Sequence, residues 1–395
     1  MLRPQSTTTL IQTDNILLVL EHIRNNPKIT KAQLSSALDI TFQGMTNIVN
    51  RLEKSQLITK VKCEYAGRGK PPIGFEIEPN SVYALGFHLD HEKLTVVLTN
   101  LEAEIIDEQI ATCHYASPDV VMPMLEHYTS TLLAKHMIPT ERFLGVSIAM
   151  SGPFNVPDLT SKGPTTHPGW QSIDLKSELT KRIKQPVFIN NETSVAAMYQ
   201  LLFDRTHYPD NFLYIYCGLG LGGGLILNGQ PYLGTRGNAG EIGHIPVCEQ
   251  FEQSCSCGNK GCLEQVFSLH AFYSQLKQKD IICNTTEMLE QLMNDDNEAL
   301  KEILIDACSY LRKAIQFFEN TLDLNTVFFA GILPSNVLTF ISTQLQQLNP
   351  SIRNGTAINS RLRFQAISPT AIAHAAAVYP LFVVDNRKFN DILKL

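Results

Sequence analysis

A histidine and three cysteines lie close together past the middle of the chain: His244, Cys255, Cys257 and Cys262, spaced H-x10-C-x-C-x4-C. One imidazole and three thiolates are a complete tetrahedral donor set for Zn2+, soft enough to pass over Mg2+ and Ca2+. With four protein donors no position is left for water, so the expected metal is a structural zinc. Gly258 and Gly261 fall in the last interval, where the chain must turn sharply for the third sulfur to reach the ion. Cys248 is a spare thiol that could displace one ligand. The alternative, free thiols beside a core histidine, is disfavoured by the tight spacing. Two carboxylates bracket the cluster, Glu241 one helical turn before His244 and Glu264 two residues after Cys262. The metal loop would then clamp two acids in place.

Those acids need a scaffold, and the pattern upstream and downstream supplies one twice. Tyr83–Leu89, Leu94–Thr99 and Glu104–Ile110 read as three successive strands, followed by a helix near Val120–Lys135 and a buried strand, Leu144–Ala149. Phe212–Cys217, Gly222–Leu227 and Gln230–Leu233 repeat the meander, with helices and a buried strand at Thr326–Ala330 behind it. A strand meander followed by helix and strand, written twice, implies two α/β lobes with a cleft between them. Trp170, the single tryptophan, would report on that cleft or sit in a core.

The first eighty residues read differently. Asn15–Ile23 has helical spacing with Asp14 placed as its cap, and Pro27 ends it. Thr30 caps a second helix, Lys31–Leu38, and a third runs from Phe42 to Ser55. Met45, Val49 and Leu52 form the apolar stripe of that third helix, leaving Gln43, Thr46, Asn47 and Arg51 on the other face. Two short strands, Leu57–Lys62 and Ile73–Ile77, flank a glycine-rich basic tip with Arg68 and Lys70. Helix, wing and basic tip together form a winged helix-turn-helix suited to duplex DNA, the tip reaching phosphate or minor groove. A small helical domain that binds a protein partner is the competing reading. Glu78–Ser81 reads as a linker, dividing the chain into a DNA-binding domain at 1–80 and an effector and oligomerisation domain at 81–395.

Composition sets the outer bounds. At 395 residues the chain is too long for one ordinary core. A net charge of −6 gives no global attraction to nucleic acid, so DNA contact must be local. Nine cysteines, an odd number, point to a reducing compartment rather than a disulfide framework. No apolar run approaches a membrane span and no signal peptide is evident, so a cytoplasmic protein is expected.

Gly240-Glu241-Ile242-Gly243-His244 followed by Cys255-x-Cys257-Gly258-x-x-Gly261-Cys262-Leu263-Glu264 resembles the signature of the ROK family, which contains bacterial sugar kinases and sugar-responsive transcriptional repressors. Gly67-Arg68-Gly69-Lys70-Pro71 is similar to the wing of the family's repressors, a domain its kinases lack. The resemblance implies a two-lobed fold of the actin-like ATPase and hexokinase type. It also implies that Asn191, Glu241, His244 and Glu264 point into the cleft as sugar contacts. Carboxylates and amides suit vicinal hydroxyls, and His244 can bind zinc through one nitrogen and face a hydroxyl with the other. Ser151-Gly152-Pro153 and Thr166-His167-Pro168-Gly169-Trp170 resemble the loops that flank the sugar. If the pocket is vestigial, the two glutamates would only brace the zinc loop.

The chain departs from the family's kinases at their ATP motifs. The Asp-x-Gly-Gly-Thr-Lys turn is replaced by His88-Leu89-Asp90-His91-Glu92-Lys93, which puts two acids where a triphosphate would lie. Gly218-Leu219-Gly220-Leu221-Gly222-Gly223-Gly224 lacks the hydroxyl of the second motif, and Ala330-Gly331 replaces a glycine pair. Glu192 stands where the kinases place a catalytic aspartate, one methylene longer. It is expected as a sugar contact, as a first-turn acid of the next helix, or as both. These residues together describe a non-enzymatic, DNA-binding regulator in repressor form. A small sugar or sugar phosphate is its expected effector, and a homo-oligomer (dimer or tetramer) its expected assembly, since such modules read half-sites as pairs. An active kinase carrying an extra domain and a regulator controlled by a protein partner are the alternatives.

Overall fold

The computed structural model describes residues 7–64, 70–114, 117–152, 169–170, 173–203, 209–248, 254–365, 367–368, 370–382 and 387–393. Helix α1 (Thr7–Asn25) starts well before Asn15, so Asp14 lies inside it and does not cap it. Strand β1 (Ile29–Thr30) leads into α2 (Lys31–Ala37), whose start is a full capping box between Thr30 and Gln33. Helix α3 (Phe42–Lys54) is capped by Thr41, whose Oγ1 accepts from the Gly44 amide at 3.2 Å, and Ser55 is its C-cap. Its buried residues are Met45, Val49 and Leu52, the stripe expected from their spacing. Strands β2 (Ile58–Lys62) and β3 (Ile73–Ile77) pair antiparallel, with β1 on the far edge of β3. The tip of this wing, residues 65–69 with Arg68, lies outside the described residues.

The first lobe contains β4 (Tyr83–Leu89), β5 (Lys93–Asn100), β6 (Ile105–Thr112), α4 (Pro118–Lys135), β7 (Phe143–Met150), α5 (Leu175–Ile183), β8 (Val187–Asn191) and α6 (Glu192–Phe203). The second contains β9 (Phe212–Cys217), β10 (Leu221–Leu227), β11 (Gln230–Pro231), α7 (Leu263–Val266), α8 (Leu269–Gln278), α9 (Thr286–Asn294), α10 (Glu298–Leu322), β12 (Thr326–Gly331), α11 (Ser335–Gln344), α12 (Ile358–Arg361) and β13 (Leu362–Phe364). The two sheets run β6-β5-β4-β7-β8 and β11-β10-β9-β12-β13, so the expected duplication is present strand for strand. In each, the first strand pairs antiparallel with its hairpin partner and parallel with the strand behind the crossover.

Two helices, α6 and α13 (Ala371–Phe382), join the lobes through a small-residue core of Ala196, Ala197, Ala375 and Ala376 against Tyr214 and Phe328. Each sits directly on one sheet. A Cβ at Gly86 of β4 would lie 2.0 Å from the Ala373 carbonyl oxygen, and one at Gly224 of β10 would lie 2.3 Å from that of Thr193. Glycine at these two positions lets backbone meet backbone. Trp170 is buried in the first lobe's core with Leu125 and Leu179, which makes it a core residue. Among the described residues no helix is long and apolar enough to cross a membrane.

Glu78–Ser81 is not a loose tether. Pro79–Ser81 is a packed 3-10 turn, with Ser81 buried and the Pro79 carbonyl accepting from the Leu101 amide at 2.9 Å. Proline fixes the first turn residue, and Val82 is drawn wholly into a core. That core joins both ends of the chain: Leu20, Ile23 and Val49 pack with Leu101, Ala103 and Leu144, and with Phe389 and Ile392 of α14 (Arg387–Ile392). Arg142 adds hydrogen bonds to the Ser55 carbonyl (2.9 Å) and Gln56 Oε1 (2.8 Å).

Candidate functional site

The strand-to-helix path after β11 builds the metal loop. Glu241 ends a glycine-rich turn, and residues Ile242–His244 form a single 3-10 turn. A second turn carries the cysteines, closed by isolated bridges between Pro246 and Cys262 and between Ser254 and Lys260. Gly261 has φ +67°, and a Cβ there would fall 1.7 Å from the Cys248 carbonyl oxygen, so only glycine fits. Gly258, at φ +90°, makes the other left-handed turn. The donor atoms of His244, Cys255, Cys257 and Cys262 all lie within 4.8 Å of one another. His244 Nδ1 is 3.4 Å from Cys255 Sγ, and Cys257 Sγ is 3.5 Å from Cys262 Sγ. The S···S edge of a tetrahedral zinc thiolate site is about 3.8 Å, so the set closes on a sphere of the right size. Cys248 stands apart from these four and donates to Tyr310 Oη at 3.1 Å. Burial raises the Cys255 thiol, but His244 and the neighbouring Cys257 pull it down to about 6. Burial and its thiol neighbours push Cys262 up.

With Nδ1 turned to the thiols, His244 directs Nε2 toward Glu241 Oε2 at 3.9 Å. Glu241 Oε1 is buried and has no hydrogen-bond partner among the described residues. Burial pushes its carboxyl up to about 7, with His244 pulling against it and Glu264 and Glu192 adding repulsion. Those three acids therefore share one electrostatic neighbourhood, although they come from three separate elements.

Glu192 and Asn191 occupy the junction of β8 and α6. Asn191 is the cap: its Oδ1 accepts from the Thr193 amide at 2.8 Å and from Thr193 Oγ1. Glu192 is the first residue of the helix, as one of its two expected roles requires. It is held from two sides, by His88 Nε2 at 2.9 Å and by Ser151 Oγ, which donates at 3.2 Å. Burial alone would raise its carboxyl, but the His88 hydrogen bond, the His88 and His91 charges and Ser151 hold it below the usual glutamate value. His88 and its reach to Glu192 were not readable from the sequence, since the partners are 104 residues apart.

In each hairpin a carboxylate of the chain accepts from turn amides. In β4–β5, Asp90 Oδ1 accepts from the Glu92 amide at 2.7 Å and the Lys93 amide at 2.9 Å. In β9–β10, Glu264 Oε2 accepts from the Leu221 amide at 2.9 Å. Glu264 thus has a bracing role that its proposed sugar role did not include.

On the N-terminal unit Gln43 and Asn47 are exposed on α3, with Gln43 Nε2 donating to Asn47 Oδ1 at 3.4 Å. Thr46 is half-buried and its hydroxyl donates to the Phe42 carbonyl at 2.8 Å. Lys70 is exposed at the wing. Arg51 turns away from this face: Nε donates to the Leu393 carbonyl at 2.8 Å, so it fastens α3 to the C-terminal segment. Its helical spacing placed it on the polar face, but the chain end that covers it comes from 342 residues away.

A model of the ROK family matches residues 85–365, the span of both lobes, and a model of the MarR family matches residues 13–69. This chain belongs to the ROK family. It is 28% identical to the xylose repressor of Bacillus subtilis over 282 residues, covering 69% of this chain and 70% of that one. It is 26% identical to the DNA-binding transcriptional dual regulator NagC of Escherichia coli over 261 residues, 65% of this chain and 63% of that one. In fold it is similar to a ROK family transcriptional regulator homologous to E. coli MLC, with a TM-score of 0.78 at 22% identity over 98% of this chain and 100% of that one. A ROK hexokinase from Thermus thermophilus matches at TM-score 0.58 and 19% identity, covering 78% of this chain and all of its own. The ROK fold therefore occurs both with and without a DNA-binding unit, and this ROK chain has the unit.

Proposed function

We propose that this chain is a transcriptional repressor that binds operator DNA through α3 and the wing and releases it when a small sugar occupies the cleft. The homology to repressors, together with the winged helix-turn-helix, supports the first half. Gln43, Thr46 and Asn47 are the base-facing residues of this reading, and Arg68 and Lys70 its phosphate contacts; Arg51 is withdrawn from the set by its bond to Leu393. A pair of such units reads a two-fold operator, which requires at least a dimer.

The observation that carries the second half is the division of labour among the acids. Asp90 takes the Glu92 and Lys93 amides and Glu264 the Leu221 amide, whereas Glu241 keeps a buried oxygen with no partner among the described residues. A hydrogen-bond donor is what Glu241 Oε1 lacks, and a polyhydroxylated ligand supplies one. Glu241, Glu264, His244, Glu192 and the Asn191 amide nitrogen are its proposed contacts. In-line phosphoryl transfer would need a carboxylate aimed at the sugar hydroxyl within a fraction of an ångström, and Glu192, one methylene longer than aspartate, has its two oxygens engaged by His88 and Ser151. No catalysis is therefore proposed. His244, Cys255, Cys257 and Cys262 would hold a structural zinc that fixes Glu241 and Glu264, and the setting is cytoplasmic, where such thiolates stay reduced.

A thermal-shift screen of monosaccharides and their phosphates, with and without ATP and Mg2+, tests the reading. Stabilisation by a sugar alone, matched by release of DNA, is the expected result. ATP-dependent formation of a sugar phosphate, lost in Glu192→Gln, would replace it with the kinase reading. DNA release only on addition of a cell protein would replace it with the partner reading.

The coupling has a physical route. Helix α6 carries the cleft residues at its start and Tyr199 further along, where Tyr199 Oη meets His374 Nδ1 at 3.3 Å. His374 Nε2 donates to the Ala103 carbonyl at 2.6 Å, which leaves Nδ1 as the acceptor for tyrosine. Two residues back in that turn, the Leu101 carbonyl accepts from Arg24 of α1. A shift of α6 on sugar binding would reach the DNA-binding unit through this turn.

A further inference from the structure

Phe42 is the first residue of α3, and its spacing to Met45, Val49 and Leu52 continues the apolar stripe of that helix. The other three are buried, whereas Phe42 is 59% exposed. A single exposed ring is not unusual in itself, but this one is left open by the described residues at a stripe position, so its place in the fold decides what it can meet. Its placement says what that surface is. In a helix-turn-helix the N-terminal residues of the second helix contact base edges in the major groove, while the first helix crosses the backbone. Phe42 is at that end of α3, next to the exposed Gln43. Its own backbone is fixed by the Thr41 cap and by Thr46, whose hydroxyl donates to the Phe42 carbonyl at 2.8 Å.

A second feature points to the same occupant. Lys31, the first residue of α2, places Nζ 5.8 Å from the centroid of the Phe42 ring. A cation over the ring face holds its orientation and brings positive charge beside it. An apolar ring flanked by an ammonium is complementary to a duplex, where the major groove offers one apolar group, the thymine 5-methyl, next to a row of phosphates.

We propose that Phe42 is a specificity-determining DNA contact that recognises a thymine through its 5-methyl group, with Lys31 holding the ring and facing the adjacent phosphate. The inference rests on DNA binding by the N-terminal unit, and salt-sensitive binding of the full chain to random duplex is the control that separates the two. If that control fails, the repressor reading falls first and this contact with it.

The test uses the full chain and an operator selected from a random duplex library. Each thymine of that operator is replaced in turn by deoxyuridine, which removes only the methyl. One thymine per half-site should then weaken parent binding about fourfold, the value of one buried methyl group. Phe42→Ala should bind the unmodified operator more weakly and be indifferent to the same replacement, while Phe42→Leu keeps part of the discrimination. Lys31→Met should lower affinity at every sequence and flatten the salt dependence by about one unit of slope. The proposal is overturned if no thymine replacement affects the parent. It is overturned equally if the replacement costs the same in Phe42→Ala, or if Phe42→Ala weakens all sequences alike with its base preference unchanged.

Discussion

The hairpins β4–β5 and β9–β10 hold equivalent places in the two lobes, and in each a carboxylate accepts from the turn, two amides in the first and one in the second. They differ in where the acid comes from. Asp90 serves its own turn, bonding the amides two and three residues on. Glu264 reaches the Leu221 amide from 43 residues away, at the first turn of α7 directly after the metal loop. The first hairpin is complete as soon as its turn forms. The second closes its own turn from the Gly218 amide to the Gly220 carbonyl at 2.9 Å, but its Leu221 amide is satisfied by Glu264 only while the metal loop is folded. A duplicated scaffold has thus kept one lobe locally determined and made the other dependent on a distant element, which is the lobe where Glu241 and Glu264 stand.

Metal removal should break this comparison most strongly. Structural zinc contributes on the order of 10 kcal/mol to such loops. Cys257→Ser should lose the metal and, by hydrogen exchange, open α7 and the β9–β10 turn while the β4–β5 turn stays protected. Equal loss in both lobes would mean that they are not independent. A smaller effect is expected from Glu264→Gln, which removes a charged acceptor with little change in shape. Sugar affinity should fall ten- to hundredfold, about 1.4–2.7 kcal/mol, and the Leu221 amide should exchange faster. Full sugar response in Glu264→Gln and in Glu241→Gln together would show the pocket to be vestigial. Tyr199→Phe deletes one hydroxyl on the route to Arg24 and should reduce sugar–DNA coupling by about 1 kcal/mol, leaving each separate affinity intact. Unchanged coupling would remove this route. Asp90→Ala should be the mildest: it frees two amides at a cost of about 1 kcal/mol or less in lobe stability and creates no kinase activity. ATP turnover in Asp90→Ala would mean that the turn alone had blocked catalysis.

What was legible in the sequence is what local chemistry decides. The stripe of α3, the Thr30 cap and the two meanders follow from period, capping and spacing, and the structure places them as expected; it also gathers His244, Cys255, Cys257 and Cys262 into a group that could hold a metal ion. Helix α1 was longer than its apolar spacing suggested because its first residues carry polar threonines, and Asp14 only resembled a cap. Contacts between distant segments were not legible. Arg51 is taken by Leu393, Glu192 by His88, and the supposed linker is pinned by Leu101, each across a separation that no local pattern encodes. Asn191 shows both sides: its type suited a sugar hydroxyl, yet its oxygen is the cap of α6.

On this reading a sugar bound without chemistry in the cleft controls the DNA-binding unit. The most direct measurement is operator affinity of the full chain, titrated with the stabilising sugar in the absence of ATP, for the parent and for Glu241→Gln. A tenfold or greater loss of DNA affinity is expected in the parent, with no such loss in Glu241→Gln and equal affinity of the two for DNA without sugar. A parent whose DNA affinity is untouched by any sugar it binds, or one that responds only after ATP has phosphorylated the sugar, would contradict it.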